Sequence, residues 1–401
     1  MTTQSRSAVS LPDMSRLRGG GAPRAHSSID KAGLASVTRL LPLVARPRPH
    51  TGPLTRRIDA VDQMSREAHA VRDPVEAVVT ATRALGRAAM VAEDCGALDL
   101  ARQLCQSHLR AYVEPARRLT APQAARMLGP GITLARLHGL ESGPGQVVAG
   151  LRLLLHAVHG LVPVRIGDAR LPLGNVLATP EERRTLEYQV RTHLLVGGIT
   201  AETAVGRWSA AADLAETYDR ASSRLLEGQQ AMIVDRIMRG DMPAACRVID
   251  ACEPRQAWEQ QVRDCLTVLC VPPARRGAAT REMLDRYDAR TPVDDGDVGF
   301  RIRLALLVAS IACLSSDLKV RRAGEDIAHR VVTDACDLMD GHAARDVLRH
   351  PLVRVATGTE QVYLARVVAR SGLAGGALIG RARTRVLDAA THAQTVLEQA
   401  S

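Results

Sequence analysis

The sequence predicts an all-α protein of antiparallel helical hairpins stacked as a solenoid, with one short β-hairpin inserted. Three observations lead there. Apolar residues recur at helical spacing through most of the chain. Two hairpin-like units hinge on glycines 34 residues apart, Gly206 and Gly240, and internal periods of that length mark stacked repeats. Only the stretch Val162 to Asn175 alternates and turns as a pair of strands would.

Residues 1–55 are rich in Ser, Gly, Pro and Arg, as in GGGAPR and ARPRPHTGP, and are expected to form a disordered basic arm. Such a segment buries too little apolar surface to offset the entropy of ordering it. Its Arg-rich, acid-poor composition is also that of an organelle leader. Plain disorder, or a start placed upstream of a true beginning near Met64, is the preferred expectation. Helical sequence begins near Arg56, and an array with its hairpin insertion at 162–175 is expected over 56–290. Asp73-Pro74 opens one helix with proline in its first turn. A break follows at Cys95-Gly96, and then Leu98, Ala101, Cys105, Leu109 and Tyr112 share one helix face. Thr179-Pro180-Glu181-Glu182 is another start, with a capping threonine and two acids at the positive end of the helix dipole. Arg290 to Gly299 is acidic and turn-rich and reads as a linker, after which C-terminal repeats over 300–401 continue the array.

The repeat grammar is helix, glycine, four residues, alanine, helix. It occurs at Gly96…Ala101, Gly206…Ala211 and Gly240…Ala245, with a weaker case at Gly372…Ala377. Glycine lets the first helix end in a left-handed conformation, and the small alanine lets two backbones approach. In the unit after Gly240, Ala245, Val248, Ile249 and Cys252 form the stripe that stacking requires. GRWSAAADLAE resembles the turn and second helix of a tetratricopeptide repeat, over units Thr192–Leu225 and Leu226–Glu259. Ile199 and Ile233 stand where that motif has a small residue, and its terminal proline is absent from both units, so the array is degenerate. DCGALDLARQLC, GRWSAAADLA and RLLEGQQ also resemble pieces of uncharacterised actinobacterial helical proteins. The tetratricopeptide resemblance implies a concave groove that binds a peptide or protein partner, with His193, Thr200, Thr203, Glu227 and Gln230 facing it.

Composition narrows the chemistry. Aromatic residues are 2% of the chain, too few to line a pocket for a large flat cofactor or to stack nucleic-acid bases. The net charge is +10, and residues 1–60 supply +7 of it, so the body is nearly neutral. The basic balance therefore speaks weakly for nucleic acid. Neither lysine, Lys31 or Lys319, follows a G-x-x-x-x-G run, which excludes a P-loop. The eight cysteines include no C-x-x-C, and reduced, mostly buried thiols in a cytoplasmic protein are expected. The longest apolar stretch, Leu304 to Leu314, is about half of a membrane span.

Bland readings outweigh the chemical ones at the remaining motifs. His156 and His159, and likewise Cys105 and His108, have helical spacing but no third metal ligand. Asp294-Asp295-Gly296-Asp297 lacks the twelfth-position glutamate of a calcium loop. No strand precedes the glycine run of Gly372–Gly380, so a dinucleotide fingerprint fails. No cofactor, metal or catalytic residue is therefore assigned. The expectation is a protein-interaction adaptor whose partner is a protein or peptide. Arg191 and Arg224, with Arg220 and Arg236, could pair with an acidic peptide, although solvated helix surfaces beside Glu and Asp neighbours are the preferred reading, and the hairpin arginines Arg165 and Arg170 offer a second surface. An accessory protein or enzyme of natural-product biosynthesis with a helical cavity is the first alternative. A regulator touching nucleic acid through its basic arm is the second.

Overall fold

The structure is a computed structural model that describes residues 31–113, 118–219, 222–288, 298–373 and 375–399. It is all-α apart from short strands. Helix α1 (Lys31–Thr38) leads into an extended segment and then α2 (Leu54–Ala70), α3 (Pro74–Asp94) and α4 (Leu98–Arg110). Next come α5 (Ala121–Ser142) and α6 (Pro144–Gly160). After the hairpin, α7 (Pro180–His193) runs through a π-helical turn, Leu194–Gly198, into α8 (Ile199–Ala204). Then follow α9 (Trp208–Tyr218), α10 (Glu227–Met238), α11 (Met242–Ala251), α12 (Ala257–Cys270) and α13 (Pro273–Asp288). The chain ends with α14 (Val298–Cys313), α15 (Leu318–Leu338), α16 (Gly341–Arg349), α17 (Gly358–Arg370) and α18 (Gly380–Gln399).

The helix starts follow the expected chemistry. Asp73 accepts from Val75 N at 3.1 Å with Pro74 in the first turn. Thr179 and Glu182 form a reciprocal capping box. The glycine turns share one geometry. Gly96, Gly206, Gly240 and Gly372 all take positive φ, between 77° and 85°. In each, the glycine N–H and the next N–H reach back to carbonyls of the preceding helix, a Schellman arrangement. Ala101, Ala211 and Ala245 are all fully buried. At the weaker case the turn forms at Gly372, but Ala377 is exposed and α18 begins only at Gly380.

The expected hairpin is present. β2 (Val164–Ile166) and β3 (Ala169–Leu171) pair antiparallel, with Gly167 at φ 55° in the turn. Val164, Ile166, Ala169 and Leu171 point inward and lie against α4, α5 and α6. Separately, β1 (Leu119–Thr120) pairs parallel with β4 (Val176–Leu177).

Helices adjacent in the chain pack on one another from α2 to α7 and again from α9 to α15. The last helix breaks this order. α18 lies on α2 and α3, burying Val386, Ala389, Ala393 and Leu397 there. The last helix of the chain therefore returns to the first long helices, which its apolar stripe covers. Among the described residues two hydrophobic cores result. One joins α2 through α9 with α18, and the other joins α1 with α10 through α17. They meet at α10, where Ala231 and Met232 serve the first core and Ile233, Val234 and Ile237 the second. The apolar run Leu304 to Leu314 falls in α14 except for Leu314, and α14 is buried on nearly all sides by α1, α12, α13, α15 and α16. No described helix is long and apolar enough to cross a membrane.

The expected disorder over 1–55 does not extend to residues 31–55; residues 1–30 lie outside the described residues. Val37, Leu40, Leu41 and Leu43 are buried in the second core, and Thr51 is buried as well. The run LASVTRLLPLV carries enough apolar surface to dock, which the Pro, Arg and Gly content around it conceals. The acidic linker expected over 290–299 lies mostly outside the described residues, as does its cluster Asp294 to Asp297.

Candidate functional site

The strongest concentration of polar contacts between distant parts of the chain surrounds the segment Leu40 to Thr51. It has no helix or strand of its own. The rest of the protein holds it through its main chain. Leu43 N donates to Gln230 Oε1 at 2.7 Å, and Gln230 Nε2 donates back to Leu43 O at 2.8 Å. One carboxamide thus satisfies both backbone groups of one residue, as a neighbouring strand would. Gln230 is fully buried, and its amino group also donates to Leu225 O at 3.1 Å. From α14, Arg303 Nη2 donates to Leu40 O at 2.8 Å. At the other end, Thr51 N donates to Asp340 Oδ2 at 2.6 Å and Thr51 O accepts from Gly341 N at 2.8 Å. The other Asp340 oxygen caps α16 through His342 N and Ala343 N.

Side chains of the segment are read too. Leu43 is 1% exposed among apolar residues of the second core. Three residues on, Arg46 makes a bidentate pair with Glu227, Nε to Oε1 at 2.7 Å and Nη2 to Oε2 at 2.8 Å. That hydrogen bond raises the Arg46 pKa against the opposing effect of burial, and the charge of Glu227 adds to it. Glu227 is buried, whereas the Arg46 side chain is 47% exposed, so the pair sits at a rim. Pro47, Arg48, Pro49 and His50 are exposed on the outer side. Arg48 approaches Asp94 at 3.7 Å, His342 approaches it at 3.4 Å, and Arg57 pairs with it directly. Burial pushes the Asp94 pKa up, but the His342 hydrogen bond and the charges of His342, Arg57 and Arg48 outweigh it and hold the carboxyl low. The segment thus touches α3, α10, α14 and α16, elements that are far apart in the chain.

Three of the residues expected from the sequence gather here. Glu227 and Gln230 grip the segment directly. His193 is open to solvent yet ringed by protein; desolvation lowers its pKa, and repulsion from Arg136 and Arg46 lowers it further. Thr200 and Thr203 do not join them: Thr200 is exposed, and Thr203 Oγ1 bonds to Thr200 O. The π-turn at Leu194–Gly198 explains this. Each π residue turns less than an α residue, so five of them displace Thr200 by about a quarter turn from the face carrying His193.

The arginine candidates are largely engaged elsewhere. Arg224 binds the fully buried Glu259, Arg236 reaches Glu216 and Met232 O, and Arg191 lies over the Tyr188 ring. Arg220 lies outside the described residues. Arg165 and Arg170 face each other across the exposed side of the hairpin, on a surface apart from the segment.

Three residues of the site, Arg303, Asp340 and Asp94, are not found by sequence reasoning. Asp340-Gly341-His342 carries a legible signal, because an aspartate ahead of a helical run is a cap pattern. Nothing local distinguishes Arg303 from other helix arginines. Among the described residues no group of three or more His, Cys, Asp or Glu is placed to hold a metal ion. His159 instead pairs with Glu187 at 3.1 Å. What the arrangement does chemically is hold an extended polypeptide. Compared with known proteins, the chain matches no family model, no curated protein and no solved structure.

Proposed function

We propose that this protein is an interaction scaffold, a tetratricopeptide-like helical array that binds an extended peptide or protein segment in the cleft walled by α10, α14 and α16. The observation that carries this reading is the two-bond grip of Gln230 on the Leu43 main chain. A buried carboxamide paired to a backbone that belongs to no strand or helix is how a groove accepts a chain independently of its sequence. The shared geometry of the turns at Gly96, Gly206 and Gly240, with neighbour-on-neighbour packing, supports a repeat-derived architecture.

The test is a random twelve-residue peptide library panned on the full chain carrying Leu43→Asp, which weakens the internal segment's hold. Enriched peptides whose binding is lost on adding Gln230→Ala are expected. Enrichment of none, or of peptides indifferent to Gln230→Ala, would remove the reading.

A further inference from the structure

The segment Leu40 to Thr51 is held in the manner of a bound ligand. Its main-chain contacts come mostly from side chains of other elements, and its own residues add two selective features, Leu43 and Arg46. The cleft also needs an occupant. Glu227 is buried, and Arg46 is the one ion-pair partner it has among the described residues. Asp219 stands close by, its pKa raised by burial and then by the Glu227 charge. Without a cation on the segment, the buried Glu227 would lose its ion-pair partner beside Asp219, whose own charge is offset in part by Arg191, and a partly dry site tolerates an unpaired carboxylate poorly. The demand of the floor is thus for a guanidinium at one fixed distance from a main-chain anchor.

The hold is lighter over residues 44–50. No backbone ladder secures residues 44–50, prolines interrupt them at Pro47 and Pro49, and their outer side is exposed. The Arg46–Glu227 pair lies at the solvent rim, where ion pairs exchange readily.

We infer that Leu40 to Thr51 is an internal occupant of the cleft, and that the partner it stands in for is an extended peptide bearing an aliphatic residue followed three positions later by arginine. The inference rests on the scaffold reading above and adds its specificity and its competitor. The aliphatic residue fills the place of Leu43 while Gln230 pairs with its backbone, and the arginine takes Glu227. The partner binds when the internal segment leaves.

The experiment uses full-length chains and a fluorescent peptide with the sequence of residues 38–51. Arg46→Glu sets a carboxylate against Glu227 and should release the segment, read as faster hydrogen exchange at residues 43–51 with α14 unchanged. The peptide should then bind this variant at least tenfold more tightly than the wild type, and adding Gln230→Ala should abolish binding. A peptide with glutamate at the position of Arg46 should not bind. Arg46→Gln, which removes the segment's cation but leaves Glu227 and Gln230 in place for the peptide, serves as a second releasing variant if Arg46→Glu does not fold.

Equal binding to wild type and released variant would overturn internal occupancy while leaving the scaffold reading intact. No binding to a released variant would overturn both. Unchanged protection of residues 43–51 in both variants would make the segment a fixed part of the core and end the inference. Concentration-dependent dimers of the wild type, abolished by Gln230→Ala, would assign the cleft to the segment of a second copy and overturn the partner peptide.

Discussion

Two buried histidines show how single side chains tie stability to pH. His350 Nδ1 accepts from Leu352 N at 3.2 Å, capping the turn that starts at Pro351, so the ring proton lies on Nε2 facing Ser310 Oγ at 3.2 Å. Protonating Nδ1 breaks that cap. Burial lowers the pKa of His350 to about 4, and that of His108, which is buried beside Tyr112, also to about 4. Both lie below the usual histidine value, so the unfolded chain binds these protons first as pH falls. Their contribution is complete above about pH 6.5 and is lost progressively down to about pH 4, at most roughly 3 kcal/mol for each ring. Urea unfolding at pH 7 and pH 5 should show this loss, and His108→Phe should reduce the pH dependence. A second residue-scale prediction concerns Glu259, whose fully buried carboxylate pairs with Arg224. Arg224→Ala strands that charge and should destabilise by about 3 kcal/mol in a denaturant titration, whereas Glu259→Gln should cost less. From sequence, Arg224 is legible as a binder of carboxylate, but the carboxylate is in its own chain. Nothing in a single sequence says which acid a long-range arginine will meet.

Elements are the most legible level, because caps and glycine turns are decided within a few residues. Thr179, Asp73 and the turns at Gly96, Gly206 and Gly240 all act as local chemistry dictates. Two of these turns make a graded prediction. Gly240 has positive φ but open space where a methyl would stand, whereas a methyl on Gly96 would meet the Gly376 Cα at 3.0 Å. Gly240→Ala should therefore cost about 1 kcal/mol from backbone strain alone, and Gly96→Ala more, measured by thermal unfolding of the two variants side by side. The π-turn in the middle of an otherwise helical run leaves no local trace. Leu194, Leu195 and Val196 fit an α-helix as well as a π-turn, so the face expected for Thr200 is lost without any sign in the sequence. The chain from Val37 to Leu43 is hidden for the opposite reason. Average composition over a long window masks a short apolar cluster whose partners lie far along the chain.

At the scale of the molecule, the return of α18 to α2 and α3 has no sequence signal beyond its apolar stripe, because a stripe shows that a helix is covered but not by what. The two cores meeting at α10 allow a direct measurement. Ala393 is fully buried in α18, so Ala393→Asp should raise hydrogen exchange in α2 and α3 while α14 and α15 keep their protection. A loss spread evenly over all four helices would mean the cores open as one cooperative unit. The site is half legible: Glu227 and Gln230 are singled out from the sequence as facing a partner but are buried against their own chain, while composition assigns the segment they hold to disorder. That placement carries a consequence for biosynthesis. Thr51 and its partner Asp340 are 289 positions apart. At roughly 5–20 residues per second, a ribosome needs on the order of 15–60 s between making the one and making the other. Throughout that interval the cleft is incomplete and the early leucines remain uncovered, so chaperone attendance during translation matters more for this protein than for one whose contacts are local.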